Sequence, residues 1–123
     1  MTLHVDDKGT IYIHQGDTGS LTVAGISSDK DYRIYFAIKN KNRETVGHEL
    51  VVNSNYQNEV TFDFSADFTD LLTVDDNDEF EIYHYGLKMC TPTTEDTLFV
   101  ENSSYGQQNN IIVFPKFVEG NYE

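Results

Sequence analysis

Residues 31–40, DYRIYFAIKN, alternate between apolar and polar side chains with a period of two. In an extended strand, successive side chains point to opposite faces. One face of this segment would carry four apolar side chains: Tyr32, Ile34, Phe36 and Ile38. The opposite face would carry Arg33, Tyr35 and Lys39. The pattern therefore predicts a strand with one buried and one solvated face, as is typical of antiparallel sheets.

Segments with the same alternation recur along the chain, and turn-forming clusters separate them roughly every 8–12 residues, the spacing of sandwiches and barrels. The 8 Phe and 8 Tyr also favour strands over helices. Further strands are predicted over residues 10–14, 20–24, 44–54, 59–64, 80–90, 97–101 and 111–118. We predict one all-β domain over residues 1–123, a two-sheet sandwich of about 7–9 strands, because a chain of this length supplies a single core.

Local signals refine the predicted order of strands. Two glycines and an aspartate in Gln15–Gly19 have turn chemistry, so the first two strands are predicted to form a hairpin. In residues 80–90, apolar side chains that could point inward occupy both even-numbered and odd-numbered positions. This predicts a register change near His84 or Gly86. Pro115 cannot donate to a ladder, so the last strand should be an edge or should stop pairing there.

One short helix is predicted over Ser65–Leu72, where Ser65 can cap the first turn. Its buried face would contain Phe68, Leu71 and Leu72. The predicted core combines inward residues of the strands with this helix: Ile13, Leu21, Val23, Ile34, Phe36, Ile38, Val60, Phe62, Phe64, Leu71, Tyr85, Leu87 and Val113.

The formal charge of −13, from 21 acidic and 8 basic residues, argues against binding to nucleic acid or to an anionic membrane surface. No apolar run approaches the roughly 20 residues of a membrane span. No secretory signal follows Met1, so export by that route is not expected. Five of the 8 basic residues lie within residues 30–43. This charge asymmetry either serves solubility alone or indicates docking to an acidic surface.

Patterns for catalysis and metal binding are weak. Cys90 is the single cysteine, which excludes an internal disulfide. The four histidines, His4, His14, His48 and His84, form no short-spaced ligand pair, and no glycine-flanked nucleophile elbow is present. The acidic run Asp75–Glu79 fits the first positions of an EF-hand loop but has Phe80 and Gly86 where that loop needs Gly and Glu. We expect no enzymatic activity, no metal and no cofactor.

Docking residues are predicted on two charged segments. The basic segment contributes Arg33, Tyr35, Lys39, Lys41 and Arg43, with Tyr35 as the aromatic anchor on the outward face. The acidic segment contributes a second group of predicted docking residues, Asp75, Asp76 and Asp78. This segment is either a solvated turn or a docking patch.

Several short motifs resemble the N-terminal domain of upper baseplate proteins from phages of Gram-positive bacteria. They are Ile11–Val23 with its Gly-Asp-Thr turn, Tyr35–Lys39, Tyr83–Lys88, Glu95–Leu98 and Val113–Lys116. The resemblance spans roughly residues 10–120, through short and degenerate motifs. It implies an immunoglobulin-like antiparallel β-sandwich that docks on other virion proteins or copies of itself.

The chain ends near residue 123, where the baseplate proteins continue, so a free-standing decoration, head-fibre, neck or tail accessory protein is the alternative expectation. In each case the protein would be located in the virion. Two other classes remain open: a carbohydrate- or receptor-binding module, and an acidic inhibitor that mimics nucleic acid. A mimic needs carboxylates over one broad face, which the basic segment interrupts. A sugar binder needs an exposed aromatic cleft, whereas many rings here alternate toward the core.

Overall fold

The computed structural model describes residues 3–98 and 109–116. Within these ranges the chain forms nine strands and one short helix. In chain order they are β1 (His4–Val5), β2 (Ile11–His14), β3 (Gly19–Ala24), β4 (Arg33–Lys39), β5 (Leu50–Asn53), β6 (Glu59–Phe64), α1 (Ala66–Thr69), β7 (Glu81–Cys90), β8 (Glu95–Leu98) and β9 (Asn109–Phe114).

The strands form two sheets that pack face to face. The large sheet has the order β1-β2-β9-β7-β4-β5, and β8 also pairs with β7. The small sheet consists of β3 and β6 in antiparallel register. Strand β7 organises the large sheet because its 10 residues pair with β4 along one edge and with both β9 and β8 along the other. The predicted two-sheet sandwich is confirmed.

One pair of strands departs from the predicted antiparallel arrangement. β2 pairs with β9 in parallel register, from Ile11 opposite Ile111 to His14 opposite Phe114. The large sheet is therefore mixed. Parallel neighbours need a long connection, and here the remainder of the fold lies between the two strands.

The predicted hairpin of residues 10–14 and 20–24 is wrong. β2 and β3 belong to different sheets, and the segment between them crosses from one sheet to the other. Both edges of β2 are already paired, with β1 and with β9, so β3 has no free edge of β2 to join. Thr69 stabilises the crossing, since its buried Oγ1 donates a hydrogen bond to the Asp17 carbonyl at 2.7 Å.

The core lies between the two sheets and follows the predicted alternation of the strands. The buried residues include Ile13, Leu21, Ile34, Phe36, Ile38, Val60, Phe62, Phe64, Tyr85, Leu87 and Val113, as predicted, whereas Val23 is partly buried. Phe36 is the centre of an aromatic cluster, with ring centroids 5.4–5.5 Å from those of Phe62, Phe64 and Tyr85. Bulky rings therefore fill the space between the sheets.

The helix is shorter than predicted, and one of the two leucines assigned to its buried face is exposed. Ser65 caps it as expected, with its Oγ accepting a hydrogen bond from the Phe68 N–H at 3.1 Å. The helix ends at Thr69, and single turns follow. Leu72 is buried whereas Leu71 is 51% exposed, so the assignment of Leu71 to the core is wrong. The turns after Thr69 break the helical period that placed both leucines on one face.

Two further strand predictions need correction. The strand predicted over residues 44–54 is paired as β5 only from Leu50, because Gly47 has a φ of 66° and interrupts the extended backbone. The register change predicted in residues 80–90 is absent, since β7 pairs with β4 without a break. Phe80 and Ile82 are 43% and 42% exposed, so their side chains do not point into the core and no register change is needed to place them there.

The two C-terminal strands are present, and each begins two residues earlier than predicted. β9 ends at Phe114, so pairing stops just before Pro115. β8 covers Glu95–Leu98, and the rest of the strand predicted over residues 97–101 lies outside the described residues, as do residues 117 and 118.

Candidate functional site

The outer face of the large sheet carries the predicted docking residues of β4. Every second residue of this strand is buried, from Ile34 to Ile38. The side chains at the alternate positions, which include Arg33, Tyr35 and Lys39, therefore point away from the core, and the structure brings these three together on one face. The predicted orientation of β4 is confirmed.

These side chains line an open groove of about 830 Å³ across the four strands β5, β4, β7 and β8. The lining comes from both central strands, the β7–β8 turn and the β5 edge: Asp31, Arg33, Tyr35, Ala37, Lys39, Glu49, Asn53, Gly86, Leu87, Lys88, Cys90, Thr91, Pro92, Glu95 and Thr97. Tyr35 is half-buried in it, so part of its side chain remains exposed to a partner.

The floor of the groove is formed by the two smallest residues of the central strands. Ala37 on β4 is directly opposite Gly86 on β7. On this outward face, the next pair of the ladder is Tyr35–Lys88 on one side and Lys39–His84 on the other. A hollow between longer side chains results, in the middle of a sheet face.

Among the described residues, the charges of the groove include one cross-strand ion pair. Lys88 on β7 donates to Glu95 on β8, with 2.9 Å between Nζ and Oε1. This hydrogen bond raises the pKa of Lys88 and lowers the pKa of Glu95, so both groups remain charged over a wide pH range. The Lys39 ammonium donates to the Thr45 hydroxyl. In the described residues, the Arg33 guanidinium has neither an ion pair nor a side-chain hydrogen bond, and it is available to a partner.

Lys41 and Arg43 do not line the groove. They are exposed in the tight turn that follows β4, which we call the basic turn (residues 40–44). The Asn40 side chain stabilises this turn, because its Oδ1 accepts hydrogen bonds from the N–H groups of Asn42 and Glu44. The turn extends the positive charge of Lys39 beyond the end of β4.

Asp75, Asp76 and Asp78 are exposed in the turn before β7. Carboxylate oxygens of Asp75, Asp78 and Glu81 lie within 4.8 Å of one another, whereas Asp76 is not part of this group. These three side chains have the oxygen chemistry that a divalent cation requires. Residues 75–81 are called the acidic turn below. Because β4 and β7 are antiparallel, with Lys39 opposite His84, the basic and acidic turns lie at the same end of the large sheet.

Several groove residues were not predicted from the sequence. The sequence pattern predicts a possible register change at Gly86 and no disulfide for Cys90, and it assigns Lys88 and Glu95 no role in a groove. Cys90 is partly buried in the groove, opposite Arg33 in the ladder. Lys88 and Cys90 could have been predicted to lie beside Gly86, because the three residues occupy every second position of one long strand and therefore share a face.

Three histidines contact aromatic rings. His4 lies beside Tyr12, His14 beside Phe114 and His48 beside Phe68, with ring centroids 5.2–5.8 Å apart. The Nδ1 atom of His84 is buried and has no hydrogen-bond partner in the described part of the chain.

Comparison with known proteins supports the fold. No protein-family model matches the sequence, and no curated protein matches it. The chain is similar to the crystal structure of the periplasmic chaperone SfaE, with a TM-score of 0.58 and 10% sequence identity over 91% of this chain and 56% of that chain. It therefore spans little more than half the length of the chaperone. Among the described residues, none of the helical segments has the length and apolar character needed to cross a membrane. The comparison shows the fold: this chain is an immunoglobulin-like β-sandwich.

Proposed function

We propose that this chain is a non-enzymatic structural protein of a bacteriophage virion, which acts by docking to other virion proteins or to copies of itself through the groove of the large sheet. The observation that carries the proposal is the grouping of Arg33, Tyr35 and Lys39 on one exposed sheet face, around a hollow. Tyr and Arg are the residue types enriched among the anchors of protein interfaces.

The charge distribution favours a protein partner. The groove contains three of the 8 Lys and Arg and three of the 21 Asp and Glu, so its own formal charge is balanced. The whole formal charge of −13 therefore lies outside the groove. An acidic segment of another protein is repelled by most of this surface and is repelled least at the groove and the neighbouring basic turn.

The virion assignment rests on the resemblance of the sequence motifs to phage baseplate domains. Two of those motifs, Tyr35–Lys39 and Tyr83–Lys88, form the two sides of the groove floor. In this proposal, the motifs are shared because they build a docking face.

The experiment measures whether a tagged full-length chain is incorporated into phage particles. A strain that produces the phage encoding this chain would be complemented with wild-type or variant copies, and particles would be purified by density gradient. We expect the wild-type chain to band with the particles. Tyr35→Ala and the triple reversal of Lys39, Lys41 and Arg43 to Glu should each reduce incorporation by about tenfold or more, since interface anchors commonly contribute over 1 kcal/mol.

Lys8→Glu is the matched control for a single reversal, Lys39→Glu. It makes the same charge change on an exposed turn at the β1 edge of the sheet, away from β5 and the groove. Absence of the wild-type chain from purified particles would overturn the virion assignment. Equal incorporation of the Tyr35→Ala, triple-reversal and wild-type chains would overturn the assignment of the groove.

A further inference from the structure

Gly86 lacks the usual structural reasons for a glycine. It has no positive φ, unlike Gly16, where φ is 83°. A Cβ added at Gly86 meets no atom of the described residues within 4 Å, so no neighbour in those ranges requires the space. Glycine within a strand weakens it, and such positions often mark the close approach of a ligand or another backbone. The missing side chain at the centre of β7 is therefore best explained by an external occupant.

The hollow above Gly86 suits an apolar side chain with acidic neighbours. Its floor is Ala37 and Gly86, and its nearest walls are the Tyr35 ring and the stems of Lys39 and Lys88. Lysine stems contribute apolar contact while their ammonium groups stay at the rim. An aromatic ring can pack on Tyr35, and carboxylates beside that ring can approach the rim lysines.

The chain itself carries a segment of that description. Phe80 is a large apolar side chain exposed in the acidic turn, with Asp78, Glu79 and Glu81 around it. We propose that the hollow receives Phe80 from a second copy of this chain. This proposal rests on the docking function proposed above for the groove. The acidic turn of that copy would lie along Arg33, Lys39 and the basic turn.

Charge complementarity selects this occupant. Five of the seven residues of the acidic turn are Asp or Glu, and none is basic. On a molecule with a charge of −13, such a segment meets, in the groove and the basic turn, positive groups that form no ion pair within the described residues, above all Arg33. Phe80 then supplies the apolar burial that rim charges alone do not provide.

The contact joins two different surfaces, so it is heterologous. The acidic turn precedes β7 at one end of the sheet, and the groove crosses the middle of its outer face. A heterologous contact leaves one free groove and one free acidic turn on every dimer, and repetition generates rings or filaments.

Two variants test this contact in the full chain. Gly86→Val fills the hollow but keeps the acidic turn intact, and Phe80→Ser removes the inserted ring but keeps the hollow. We expect the wild-type chain to self-associate with rising concentration in sedimentation velocity, and each variant to weaken association about tenfold or more. Mixing the two variants should restore one contact and give a heterodimer of twice the 14.1 kDa chain mass. Leu71→Ser, on an exposed leucine outside the groove, is the control that should assemble like wild type.

The single thiol of Cys90 provides a second readout, because it lies in the groove. Its reaction with a maleimide in the Phe80→Ser variant should slow when excess Gly86→Val chain is added. A wild-type chain that stays monomeric overturns the proposal. If Cys90 of that monomeric chain is nevertheless protected from maleimide, a segment of the same chain fills the groove. Assembly that survives Gly86→Val, or a mixture that forms no heterodimer, also overturns it. A monomeric chain whose incorporation into particles still depends on Tyr35 would leave the docking function intact and remove only this partner.

Discussion

The rings of Phe36 and Phe62 pack with their centroids 5.5 Å apart and join the two sheets of the sandwich. Phe36 belongs to β4 of the large sheet and Phe62 to β6 of the small sheet, and both are fully buried. A ring pair at this distance stabilises a fold beyond the burial of its two side chains. The contact also fixes which face of β4 is turned inward, and hence which face carries the groove.

Truncation of either ring should destabilise the domain strongly. Phe36→Ala and Phe62→Ala should each lower the free energy of unfolding by about 3–5 kcal/mol, because each leaves a cavity in a packed core. The double variant should lose less than the sum, since the two rings contact each other. Urea unfolding followed by circular dichroism would measure these values. Ile82→Ala, on the solvent face of β7, is the control and should cost less than about 1 kcal/mol. Costs below that level at both rings would show that the strand faces are assigned the wrong way round.

The two leucines after α1 should differ sharply in their contribution to stability. Leu72 is buried and Leu71 is half-exposed, although the two are adjacent in sequence. Leu72→Ala should lower the free energy of unfolding by about 2–5 kcal/mol, and Leu71→Ala by less than about 1 kcal/mol. Equal losses in thermal or chemical unfolding would contradict the described path of the chain after Thr69.

Tyr85 should make the fold sensitive to alkaline pH. Burial, with a smaller contribution from the Asp6 carboxylate, raises the pKa of Tyr85 to about 12 from 10.0, and its hydroxyl donates a 2.6 Å hydrogen bond to the Gly9 carbonyl. Between these two values the unfolded chain loses the proton while the folded chain keeps it. Stability contributed by the neutral phenol is therefore complete below pH 10 and is lost as the pH rises toward 12.

The variant Tyr85→Phe isolates this titration. It should be less stable than wild type at neutral pH, because the hydrogen bond to Gly9 is lost, but its stability should fall less steeply above pH 10. Urea unfolding at a series of pH values gives the two slopes. Identical slopes would show that Tyr85 titrates in the same way in both states. Burial also raises the pKa of Tyr83, but that residue is present in both chains and cancels in the comparison.

Substitution of two glycines should change stability in opposite directions. Gly86→Ala should raise the free energy of unfolding by about 0.5–1 kcal/mol, because the site is an unstrained strand position with room for a methyl group. Gly47→Ala is the matched control. Its φ of 66° and a Leu71 Cδ1 atom 3.0 Å from the added Cβ should make it destabilising by about 1–2 kcal/mol. A loss of stability at Gly86 would mean that the hollow has a structural purpose within the domain.

The sequence by itself determined the class of the fold and the faces of most strands. Alternation is a local property, and burial of one face follows from it directly in β4 and β6, where every second side chain is buried. Ser65 likewise predicted the start of the helix, because capping involves only neighbouring residues. The solvent-facing set of Arg33, Tyr35 and Lys39 was available from the same reasoning.

The tertiary structure alone decided which strands pair and where the groove lies. The parallel pairing of β2 with β9, and the placement of β2 and β3 in different sheets, depend on competition for strand edges between segments distant in the chain, which no local pattern encodes. The same holds for the hollow. Neither Ala37 nor Gly86 indicates a hollow within its own strand, and only the β4–β7 register sets them opposite each other. A site built across strands exists because long-range pairing aligns residues whose separate sequence signals are weak.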